Sequence, residues 1–147
     1  MTAERPPDAQ DAQTRQRVIR VGTSQVHHGW SISLMSVELW DREFTANFRL
    51  HHAGEETLSP LLALTTRDDR GNEYQAELSG GSGGGGPDSE QWHHIYDFTP
   101  PLDPAARELR FEAQLQLMRD DPDQPDTAVE RTEPGPWIFT VWLHQGE

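Results

Sequence analysis

Cysteine is absent from this 147-residue chain. That excludes disulfides, thiolate nucleophiles and Cys-type zinc sites, and it leaves the compartment open. Lysine is absent too. All 12 basic side chains are arginine, against 25 Asp and Glu, for a formal net charge of −13. We read the all-arginine usage as a GC-rich coding bias. A surface of this sign repels a phosphate backbone, and no basic stripe offsets it, so nucleic acid is excluded as a partner. Anionic membrane surfaces are disfavoured for the same reason. Long apolar runs are missing. The longest covers residues 137–143, far short of the roughly 20 residues a membrane helix needs, so no membrane insertion is expected. The first sixteen residues, MTAERPPDAQDAQTRQ, hold no apolar signal-peptide core. The chain therefore reads as cytoplasmic by default, and as extracytoplasmic if it is a piece of a longer exported protein. Catalytic signatures are lacking as well: the G-x-S-x-G string at 80–84 is part of a glycine run without the strand-to-helix setting of a nucleophile elbow, and there is no H-E-x-x-H. The glycine run at 79–88, SGGSGGGGPD, has no Gly-Lys-Ser/Thr and reads as a flexible loop, not a phosphate cradle. The expectation is a protein without enzymatic activity or cofactor.

What is present is strand patterning. The mean hydropathy of −0.80 is set by the polar N-terminus and the loops. Residues 1–16 read as a disordered tail and 17–144 as one domain. The organising stretch is 30–52, WSISLMSVELWDREFTANFRLHH. Phe44, Ala46, Phe48 and Leu50 alternate with polar neighbours, the period of a half-buried strand. Folding the stretch back about Asp41 and Arg42, with the loop spanning 40–43, pairs Leu39 with Phe44, Val37 with Ala46 and Met35 with Phe48. That register puts His51 opposite Ile32 and His52 opposite Ser31. The apolar parity switches at Leu34–Met35, which fits a β-bulge, a strand that changes sheets there, or a strand partly covered on both faces.

Further strands are expected at 17–22, 61–66, 73–78, 91–98, 107–119 and 137–143, with 23–29 a connection. Tyr74, Ala76 and Leu78 are assigned inward, as are Trp92, His94, Tyr96 and Phe98. The prolines of 99–106 mark a connection with room for one helical turn at 103–107. About eight strands without a long helix predict an antiparallel β-sandwich of seven to nine strands. Its core is expected to contain Phe44, Phe48, Leu109, Phe111, Leu115, Phe139 and Val141.

Three segments carry a resemblance. Asp69-Arg70-Gly71-Asn72-Glu73-Tyr74 is similar to the D-x-G-N-x-Y hairpin of bacterial immunoglobulin-like, telokin-like domains. Phe98-Thr99-Pro100-Pro101-Leu102 with Ala106-Arg107-Glu108-Leu109 resembles their F-x-P-P-L … A-R-x-L segment. Trp137-x-Phe139-x-Val141-x-Leu143 resembles their last strand. The resemblance implies an immunoglobulin-like sandwich serving as a binding or accessory module, and it transfers no catalytic residue.

Six of seven histidines form doublets at 27–28, 51–52 and 93–94. Neutral imidazole is a common metal ligand, but neighbouring strand residues point to opposite faces, so each doublet offers one ligand at most. No metal is expected; His28, His51 and His94 are the candidates if one binds. Asp120, Asp121, Asp123 and Asp126 offer oxygen ligands without EF-hand spacing and read as a solvated loop. Trp40, at a hairpin tip, and Trp142, on the outer parity of its strand, are the candidate contact residues. The function expected is an interaction module that binds a protein partner or self-associates. The alternative is a carbohydrate-binding module using those tryptophans.

Overall fold

The computed structural model describes residues 15–53, 58–85, 89–118 and 129–143. It contains β1 (Arg15–His27), β2 (Trp30–Trp40), β3 (Phe44–Ala53), β4 (Ser59–Asp68), β5 (Glu73–Gly85), β6 (Ser89–Thr99), β7 (Glu108–Met118) and β8 (Val129–Trp142). All pairings are antiparallel, in the order β1-β2-β3-β6-β5-β4-β7-β8. The β4–β5 ladder holds only the pairs Thr66–Tyr74 and Arg67–Glu73, yet it makes the eight strands one sheet. That sheet curls until β1 and β8 meet.

The result is a single, nearly closed barrel, which corrects the expected sandwich. With it falls the immunoglobulin-like architecture that the resemblance implied. Alternation shows that one face is buried but not what covers it. A sheet stacked on another and a sheet closed on itself produce the same pattern.

Closure between β1 and β8 uses side chains in place of a ladder. The Gln25 amide nitrogen donates to the Ile138 carbonyl, and its oxygen accepts the Ile138 N–H at 2.8 Å. One amide side chain thus stands in for a facing peptide unit. Arg17 donates to the Leu143 carbonyl at the other end of the seam.

All seven expected core residues are buried. Phe44 stacks on Phe98 with ring centroids 4.9 Å apart, and Phe48 meets Phe111 and Phe139 edge-on at 5.9 Å. One end of the barrel is filled by rings. Trp30 lies 4.7 Å from His52 and 5.3 Å from Trp92, and Trp137 donates its indole N–H to the Trp30 carbonyl.

Several local expectations are corrected. Residues 23–27 continue β1 past a bulge at Gly22, and the β1–β2 turn is the pair His28-Gly29, both at positive φ. Two such residues match the twist of a two-residue hairpin. In the central hairpin Leu39–Phe44 and Val37–Ala46 pair as expected, and Trp40 N–H bonds Glu43 O across the turn. The Met35–Phe48 pair does not form. Met35 is the extra residue of a bulge, so Leu34 faces Phe48, Ser31 faces His51 and Trp30 faces His52. Residues 103–107 make one turn closed by Ala106 N–H to Asp103 O at 3.0 Å, not a helix. The glycine run is strand through Gly85, paired with β6 from Ile95 to Glu90. The neighbouring strand supplies hydrogen bonds that need no side chain.

Candidate functional site

The candidate site is the gap where β4 and β5 part. Its closed end is pinned by the turn between them. Asp68 accepts the N–H of Arg70 at 2.8 Å, the N–H of Asn72 at 3.0 Å, the Asn72 amide at 2.9 Å and the Tyr74 hydroxyl at 2.7 Å. Burial pushes the Asp68 carboxyl up, but these four hydrogen bonds outweigh it and hold the group below the usual carboxylate range. Tyr74 is pushed up to about 12, first by burial, with the Asp68 carboxylate adding to it. Gly71 takes φ 88°, the left-handed conformation this turn requires. Asp69 accepts the N–H of Arg107 and of Glu108, tying the turn to the start of β7. The motif read from the sequence as a family hairpin is therefore a structural knot.

Beyond Thr66–Tyr74 no β4–β5 pair occurs among the described residues. Three features keep the strands apart. Pro60 has no N–H to offer. Leu62 N–H is taken by the Tyr96 hydroxyl, 3.0 Å away, reaching from β6. A bulge after Leu78 turns β5 aside.

The cleft left behind is about 440 Å³, lined by residues 61–66 of β4, 73–76 and Leu78 of β5, and Tyr96. It continues toward Pro60, Gly80, Trp92 and His94. Ala76 and Leu78 keep the inward parity of buried Tyr74 but are exposed, Leu78 by 45%. This corrects their assignment to the core: their strand faces inward where β4 has moved away. Thr66 lines the same cleft, and its buried hydroxyl has no hydrogen-bond partner among the described residues. Pro60 and the glycines after Leu78 were the available sequence signals, since proline within a strand marks an edge.

Of the residues singled out earlier, Trp142 is 56% exposed and Trp40 is half-buried, its indole nitrogen buried without a hydrogen-bond partner among the described residues. Both lie away from the cleft, on β8 and β2. The three histidines are not brought together. His28 is exposed in the β1–β2 turn, His51 is on the outer parity of β3, and His94 is buried on the inner parity of β6. Burial, with His93 beside it, lowers the His94 pKa from its ordinary value. No group of three or more His, Asp or Glu placed to hold a metal occurs among the described residues. Asp120, Asp121, Asp123 and Asp126 lie outside them.

A second hollow of about 680 Å³ lies on the outer face of β2, β3 and β6. Glu38, Asn47, Arg49, Gln91, Trp92 and His93 are among the residues that line it. No helix among the described residues is long and apolar enough to cross a membrane.

The fold and cleft define an antiparallel β-barrel with an incomplete wall. No family model matches the chain, and no curated protein does. Among solved structures it is similar to one described as the conserved domain protein from Bacillus anthracis. The TM-score is 0.61 at 19% identity, over 87% of this chain and 49% of that one. The chain thus spans about half the length of that protein, and the likeness is one of fold.

Proposed function

We propose that this chain is a non-catalytic interaction module that binds a protein partner through the opening between β4 and β5. The observation that carries the reading is Leu78, an apolar side chain of core parity left 45% exposed at the lip of a cleft. Apolar surface in a concave setting marks interaction sites more often than chance exposure does.

The test is a photo-crosslinking residue placed at position 78, with position 142 as comparator, in cells that produce the protein. Polypeptide adducts at 78 with none at 142 support the reading. Adducts confined to 142 overturn it, and an adduct of twice the chain's own mass makes the partner a second copy.

Carbohydrate binding is a second reading, and the outer hollow favours it. Glu38, Asn47, Arg49, Gln91 and His93 supply the donors and acceptors that sugar hydroxyls use. It would not use Trp40 or Trp142. A saturable tryptophan-fluorescence change with a polysaccharide, lost in Arg49→Ala, would establish it.

A further inference from the structure

The backbone at the opening says what kind of partner fits. Asp68 N–H bonds Asn72 O, and Leu62 N–H bonds the Tyr96 hydroxyl. Even-numbered residues of β4 therefore turn their N–H and C=O groups toward β5. Thr66 faces Tyr74 in the short ladder, so even-numbered residues of β5 up to the bulge after Leu78 turn theirs toward β4. That leaves Leu64 on one bank and Ala76 and Leu78 on the other with polar backbone aimed into the cleft and, among the described residues, no strand opposite. Unpaired strand edges are templates for another extended chain.

Resting on the interaction reading above, we propose that the cleft takes up an extended segment of a partner polypeptide as an added strand along β5. Main-chain bonds to Ala76 and Leu78 hold it, and its apolar side chains cover Leu78. The length is set by the structure. The cleft runs from the Thr66–Tyr74 pair to Pro60 and the bulge after Leu78. About five or six extended residues fit such a span at about 3.3 Å each.

Charge selects the guest. Glu73 lines the cleft and is paired with Arg67 at 3.9 Å, Glu77 follows it on the exposed outer face of β5, and the chain carries −13 overall. A second copy would bring the same acidic edge against this one, whereas a segment alternating basic and apolar residues answers both the rim and the floor.

The test is a nuclear magnetic resonance titration of the full chain. The probe is a pool of blocked hexapeptides alternating lysine or arginine with valine, isoleucine or leucine. Expected are shifts and slowed hydrogen exchange at the Ala76 and Leu78 amides. Binding should fall at least tenfold when glutamate replaces the basic residues, and it should vanish when alternate peptide nitrogens are methylated. Leu78→Glu should abolish binding. Leu78→Ala, which disturbs the fold less, should weaken it. Equal binding of the methylated pool, or no protection at Ala76 and Leu78, overturns strand addition. Concentration-dependent protection of those amides without peptide also overturns it, in favour of a second copy. Crosslinks at position 78 without peptide binding leave the interaction reading standing while removing strand addition.

Discussion

The Tyr96 hydroxyl accepts the Leu62 N–H at 3.0 Å and stands 3.1 Å from His94 Nδ1. The hydroxyl and that ring nitrogen share one hydrogen bond, and which of the two donates follows the imidazole's tautomer. Removing the hydroxyl in Tyr96→Phe strands a buried amide. We expect a loss of about 1–3 kcal/mol in urea unfolding. His94 adds a pH dependence. Its folded pKa lies below the ordinary 6.5, so between the two values the unfolded chain holds more protons. The contribution is intact above about 6.5 and declines as pH falls through 6.5 toward the lowered folded value. Urea midpoints taken between pH 7.5 and 5 should therefore drop in the parent and drop less in His94→Asn. Parallel curves would remove His94 as the source. The inward placement of His94 was legible from alternation with Trp92, Tyr96 and Phe98. Its partner across the barrel was not, because no local pattern links residue 62 to residue 96.

Strands were read well where a long ladder holds them. β3, β6, β7 and the last third of β8 have clean alternation and sit inward as expected. Reading failed where the neighbour, not the residue, decides. Ala76 and Leu78 alternate like core and are exposed, because β4 diverges. Residues 80–85 look like linker and are strand, because β6 supplies a partner for each. Gly81 is held close. A Cβ there would lie 3.0 Å from the His93 carbonyl oxygen, so its bare backbone is part of the pairing. Deleting two residues from 80–84 preserves facing but removes ladder bonds. It should lower stability by about 1 kcal/mol or more, at roughly 0.5–1.5 kcal/mol per bond lost. An unchanged melting midpoint would restore the loop reading that the composition suggested.

At the scale of the molecule, closure is achieved in two different ways. The β4–β5 side is fastened at one end and left open. The β1–β8 side is laced by Gln25 and Arg17. The lacing brings residue 17 of the first strand beside residue 143, just past the last one. A chain whose extremities of fold lie side by side can be rewired without altering its packing. Joining 143 to 17 through a few glycine and serine residues, and opening the exposed Asp41–Arg42 turn instead, should yield a circular permutant. We expect it to keep the spectrum and, within about 1 kcal/mol, the stability of the parent, since tolerant breaks lie at exposed loop tips. By the same geometry the whole barrel could be spliced into a surface loop of another protein as a self-contained insert. Host and guest would then meet at a single doorway between β1 and β8, with the cleft at β4 and β5 left facing outward.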